Sequence, residues 1–241
     1  MSGIIAGFWG LVAFRFVSKL VNSGQFSGDS TSYFRFTVVG LLLVSILVPT
    51  ATGASMSARN EQVQGTLEYL ASQPVPRLAL GLSWSAYGFI ESSVIAIIVA
   101  VLTVMIGFNV AHIDIPVVIA TIFLSIVIFS AIGNLGAALV IMLQQGMSLV
   151  AGLLSVVVII SGTLFPISEF PSWIQAISHL SPLTYALEAL RSALLTNQAP
   201  TSIAKDLAIL TGFALMLMPL SSFGLSRAFR VAQRKGSLGT Y

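Results

Sequence analysis

The sequence predicts an all-α polytopic membrane protein with six transmembrane helices, and three observations carry that prediction. Of the 241 residues, 56% are hydrophobic and only 8% are charged, whereas a soluble domain carries about 25% charged side chains. So little polar surface does not cover a globule in water. The apolar residues gather into stretches of about the 20 residues that a helix needs to cross a hydrocarbon core. None of these stretches shows the polar–apolar alternation of a membrane β-barrel.

Taken in order, the first span covers about residues 4–20 and the second about 36–57. Met1 to Leu20 lacks the basic start and small-residue cleavage site of a signal peptide and reads as a span. The third covers about 78–108, long enough to tilt or to extend past the bilayer. Residues 116–165 are one apolar block, too long for a single crossing, and "QQG" (Gln144, Gln145, Gly146) divides it into spans at about 116–143 and 147–165. The sixth covers about 207–225. Residues 1–241 thus read as a single transmembrane domain.

Orientation follows from the basic residues. Arg227, Arg230, Arg234 and Lys235 follow the last span with no acid among them, which places that tail in the cytoplasm. Counting spans backwards puts the 58–77 segment and the N-terminus on the same side. Arg15, Lys19, Arg35, Arg191 and Lys205 fall nearer the outer face.

Between the fifth and sixth spans lies "FPISEFPSWIQAISHLSPLTYALEALRSALLTNQAP" (165–200), too polar to span and too apolar for a free loop. Pro166, Pro171 and Pro182 punctuate it, and Ser181 with Pro182 reads as a cap followed by a first helical position. Two short amphipathic or re-entrant helices are expected there. Irregular backbone at that depth has to be shielded by protein or to face a water-lined cavity.

Several chemistries are excluded. The three lysines, Lys19, Lys205 and Lys235, lie outside any phosphate-binding loop, and neither G-x-S-x-G nor H-E-x-x-H occurs. Cysteine is absent, and the two histidines, His112 and His179, fall in outer segments with few partners for a metal. The net charge of +3 sits mainly in the tail, a pattern that suits topology rather than nucleic-acid binding. No cofactor or metal is therefore expected on this chain. Energised work would draw on an ion gradient or on another polypeptide.

One compact polar segment interrupts the oily sequence: "ARNEQVQGTLEYLASQPVPR" (58–77), with Arg59, Glu61, Glu68 and Arg77. Its Gly-Thr-Leu-Glu followed by a Pro resembles the cytoplasmic motif after the second span of ABC-2 type (type-2) ABC transporter permeases. "SGTLFPISEFPSWIQAISHLSPLTYALEALR" (161–191) is similar to that family's segment after the fifth span, and "SYFRFTVVGLL" (32–42) to its approach to the second. The order and spacing of all three agree.

The resemblance implies that residues 59–74 form a coupling helix, with Arg59, Glu61, Gly65, Thr66, Leu67 and Glu68 resting on a separate cytoplasmic ABC ATP-binding subunit. It implies a working unit of two permease chains, identical or homologous, and two ATP-binding subunits, with ATP and Mg held by the latter and lipid around the permeases. The outer re-entrant segment would comprise Gly162, Phe165, Pro166, Pro171, Trp173 and Pro182. On this reading the chain is not itself an enzyme. It lies in the cell (inner) membrane of a prokaryote and exports an amphipathic or hydrophobic cargo such as a drug, antibiotic, lipid or lipid-linked glycan. The sequence departs from the family at its start, where members carry an amphipathic helix before the first span.

Three residue-level expectations remain. Gly65 costs about 1 kcal/mol inside a helix and so marks either a close approach or a helix end. Gly3 and Gly7 permit close helix approach in the first span. Glu91, in "SAYGFIESSVIAII", is expected to face protein or water, either lining a pathway or packing the third helix. The competing function is a gradient-driven carrier or channel, for which Arg15 and Glu91 are the only ionisable groups well inside predicted spans.

Overall fold

The computed structural model describes residues 30–73, 75–105, 114–143, 146–195 and 200–235. Among them every regular element is helical. In chain order they are α1 (Ser30–Gln64), α2 (Leu67–Ser72), α3 (Arg77–Met105), α4 (Ile115–Met142), α5 (Gly146–Ile160), a 3-10 turn (Ile167–Glu169), α6 (Ser172–Ser178), α7 (Pro182–Leu195) and α8 (Pro200–Lys235). Among the described residues, three stretches are long and apolar enough to cross a membrane: Arg35–Gln64, Ile115–Met142 and Ser202–Arg234. The span expected at 4–20, with Gly3, Gly7 and Arg15, lies outside the described residues, as do Gln144 and Gln145.

The middle of the molecule is α4, which packs against α1, α3, α5, α7 and α8. Its sequence explains the position. "FSAIGNLGAALV" sets small residues on several faces of one helix, and Ala131, Gly133, Gly136, Ala137 and Ala138 are all buried. Lipid tails are as apolar as leucine, so membrane helices associate through close van der Waals contact rather than through a hydrophobic drive. Contact here is very close: a Cβ on Gly133 would lie 2.7 Å from the Ala51 carbonyl oxygen of α1. One helix over, a Cβ on Gly88 of α3 would press on the Pro49 carbonyl oxygen.

The same contacts fix direction. Ala51 meets Gly133, Ser55 meets Gly136, and Gln62 meets Val140 and Ile141, so α1 and α4 run parallel. Because α4 also approaches α8 where Leu135 meets Gly224, a common end collects the last turns of α1, α4 and α8 with the first turns of α3. Leu67 of α2, Trp84 of α3, Ile141 of α4 and Phe229 of α8 form one buried cluster there, with the Trp84 and Phe229 rings stacked at 6.5 Å. A larger cluster lies further along the helices and includes Leu43, Leu47, Ile128 and Phe129, with Leu183, Leu187 and Leu190 from α7. The apolar face of α7 is therefore buried in protein.

Candidate functional site

The two polar segments singled out in the sequence, 58–77 and 161–191, lie at opposite ends of α1. At its C-terminal end the helix does not stop at residue 57 but continues to Gln64, so Arg59 and Glu61 ride on its last turns. Polar composition does not forbid this, because Arg, Glu and Gln are good helix formers. Arg59 Nη1 donates to Gln62 Oε1 at 3.5 Å. Gln62 is itself buried and its Nε2 donates to the carbonyls of Val140 (3.3 Å) and Ile141 (3.4 Å), filling acceptors that the end of α4 would otherwise leave open.

Gly65 then ends the helix. Its φ of +72° is left-handed, and nothing stands within 4 Å of where a Cβ would be. Its N–H donates to Gln62 O and the Thr66 N–H to Glu61 O, both at 3.1 Å. That pair of bonds is the Schellman closure of a helix C-terminus. The Thr66 hydroxyl turns back to the Glu61 carboxylate, and no side-chain bond caps α2. Leu67 is fully buried, whereas Val63 and Tyr69 on either side of it are 65% and 67% exposed. The side chain of Glu68 lies outside the described residues, and so does that of Glu91, whose backbone is within α3.

At the other end, α5 stops at a second left-handed glycine, Gly162, with φ +76°. Here the surroundings are crowded: a Cβ would meet Ile167 Cγ1 at 2.7 Å. The Thr163 hydroxyl donates to Val158 O at 2.9 Å. Pro166 precedes the 3-10 turn, and Pro171 precedes α6, where its carbonyl accepts from the N–H groups of Ile174 and Gln175. Pro182 opens α7. Phe165 and Trp173 are exposed. Ser178 Oγ donates to Ile160 O at 2.7 Å, and the hydroxyls of Ser161 and Ser181 are 2.6 Å apart. Ser181 thus ties α7 to the end of α5.

Arg191 closes this end, and nothing in its local sequence announces that role. Its Nη1 and Nη2 donate to the carbonyls of Gly162 (3.1 Å) and Thr163 (3.0 Å), and its Nε donates to Phe36 O in α1 at 3.3 Å. The guanidinium carbon lies 3.4 Å from the centre of the Phe36 ring. Burial lowers the pKa of this side chain to about 10, against an upward pull from the Glu188 carboxylate, so it stays cationic at neutral pH. Only a planar fork of donors reaches three carbonyls in this way.

Asn134 is a further residue that the apolar-block reading passed over. It is 1% exposed in the middle of α4, pressed against Gly81, and neither of its amide atoms has a hydrogen-bond partner. A polar side chain at such depth marks a place where membrane helices meet closely.

Long apolar helices packed through small residues, with an irregular capped turn at one end, define a polytopic membrane protein. The sequence profile of the ABC-2 type transporter family matches residues 3–195, most of the chain, up to the last residue of α7. The chain belongs to that family and is the membrane-embedded permease component of an ABC transporter. No curated protein matches it.

Proposed function

We propose that this permease is the membrane subunit of an ATP-driven exporter, moving an amphipathic or hydrophobic cargo out of the cytoplasm. Its energy comes from two copies of a separate ATP-binding subunit, which dock on residues 59–74. A second permease chain completes the unit. The six spans expected from the sequence put α2 and both termini on the cytoplasmic side.

The observation that carries this reading is the mounting of α2. Leu67 anchors the short helix in the cluster shared by α1, α3, α4 and α8, while Gly65, Thr66 and Tyr69 stay exposed. A partner that grips the exposed face would act on four helices through one buried leucine. Glu68→Arg tests the docking: charge reversal at an interface costs several kcal/mol when the partner charge is desolvated. Transport should fall with membrane insertion unchanged. Normal transport by the Glu68→Arg protein, or ATP hydrolysis by the purified permease alone, would overturn the proposal.

A further inference from the structure

A cavity of about 530 Å³ opens beside Arg191, at the end opposite α2. Its wall includes Phe36, Thr184, Glu188, Arg191, Lys205 and Asp206. Small-molecule sites span roughly 300–1,000 Å³ and use a few placed polar groups for specificity. The charged groups here are not equivalent. Arg191 is committed to three backbone carbonyls. Among the described residues, no hydrogen bond or ion pair engages Glu188, Asp206 or Lys205. Glu188 and Asp206 are half-buried, and Lys205 is exposed at the mouth. Burial, and after it the charge of Asp206, raises the Glu188 pKa against a downward pull from His179, Arg191 and Lys205.

An occupant has to satisfy both signs at two depths. A bare anion would meet two carboxylates, and a bare cation would meet Lys205 and Arg191. We propose that this cavity binds a zwitterionic aminophosphate headgroup, with its ammonium between Glu188 and Asp206 and its phosphate at Lys205. The chemistry is shared by an aminophospholipid and by a free aminoalkyl phosphate. The inference is independent of the direction of transport and of the ATP-binding partner.

Native mass spectrometry of the full-length permease, released from nanodiscs of phosphatidylethanolamine and phosphatidylglycerol, provides the test. The wild type should retain phosphatidylethanolamine in preference to phosphatidylglycerol. Glu188→Gln with Asp206→Asn should cut that retention about tenfold, the worth of one charge-assisted hydrogen bond. Lys205→Gln, at an exposed position without packing to lose, should cut it by a smaller factor, and it alone decides if the double variant does not fold. Equal retention of the two lipids by the wild type overturns the proposal, and so does wild-type retention by the variants. Displacement of the lipid by soluble O-phosphoethanolamine would assign the site to the headgroup alone. Retention against that competitor would assign it to the intact lipid.

Discussion

Gly65-Thr66-Leu67 and Gly162-Thr163-Leu164 are the same three residues used twice. Each stops a helix with a left-handed glycine, and in each the threonine hydroxyl reaches back into the helix just ended. Their surroundings are opposite. Gly65 stands in the open, while Gly162 is enclosed by Ile167 and its carbonyl is held by Arg191. After the first break the chain drops Leu67 into the core; after the second, Leu164 is 39% exposed and the fixed point is a distant arginine. Local sequence determines how a helix ends. Tertiary context determines whether that end is a movable surface or a sealed joint.

The difference predicts a graded series of stability losses, measured as thermal melts of the purified permease in detergent. Arg191→Met should be the most damaging. It strips the donor from three carbonyls, and a buried acceptor left unpaired costs about 1–3 kcal/mol. Arg191→Lys should recover only a small part, because an ammonium does not reproduce the planar fork. Full stability in Arg191→Met would show that the turn at Gly162 seals itself without the arginine.

Gly162→Ala comes next, at about 2 kcal/mol, combining the left-handed penalty with the Ile167 contact. Adding Ile167→Ala should return the steric part and leave the conformational one. Gly65→Ala carries the conformational part alone, about 1 kcal/mol. Equal losses at the two glycines would erase the contrast between an open and an enclosed break. The smallest effect belongs to Thr66→Val, about 0.5 kcal/mol or less for an exposed hydroxyl. A larger transport defect than stability defect in Thr66→Val would place the partner on that face.

Legibility in the sequence followed range. The helix α4, expected at about 116–143, is seen at Ile115–Met142, because a long apolar run with no breaker is a local property. The turn at Gly146 is also local: a Cβ there would lie 2.7 Å from Val140 Cα. The end of α1 was harder to read. Hydropathy falls at residue 57, yet the helix runs seven residues further, held by Gln62 on carbonyls 78 and 79 residues away. Arg191 bonds to Phe36 across 155 residues, and no periodicity within either segment encodes that meeting. Buried polar contacts between distant segments were the illegible part of this site, because each half looks like an ordinary surface residue on its own.

The amide of Gln62 has a mechanical consequence. It ties the last turn of α1 to Val140, and Val140 is the residue on which Gly146, the first of α5, is seated. From that seat α5 extends 15 residues, about 22 Å of helix, to the carbonyls gripped by Arg191. A push on the last turn of α1 would therefore meet a continuous run of contacts. Load would pass from the exposed break to the sealed one along α5, with the force arriving at the guanidinium rather than dissipating in side-chain slack.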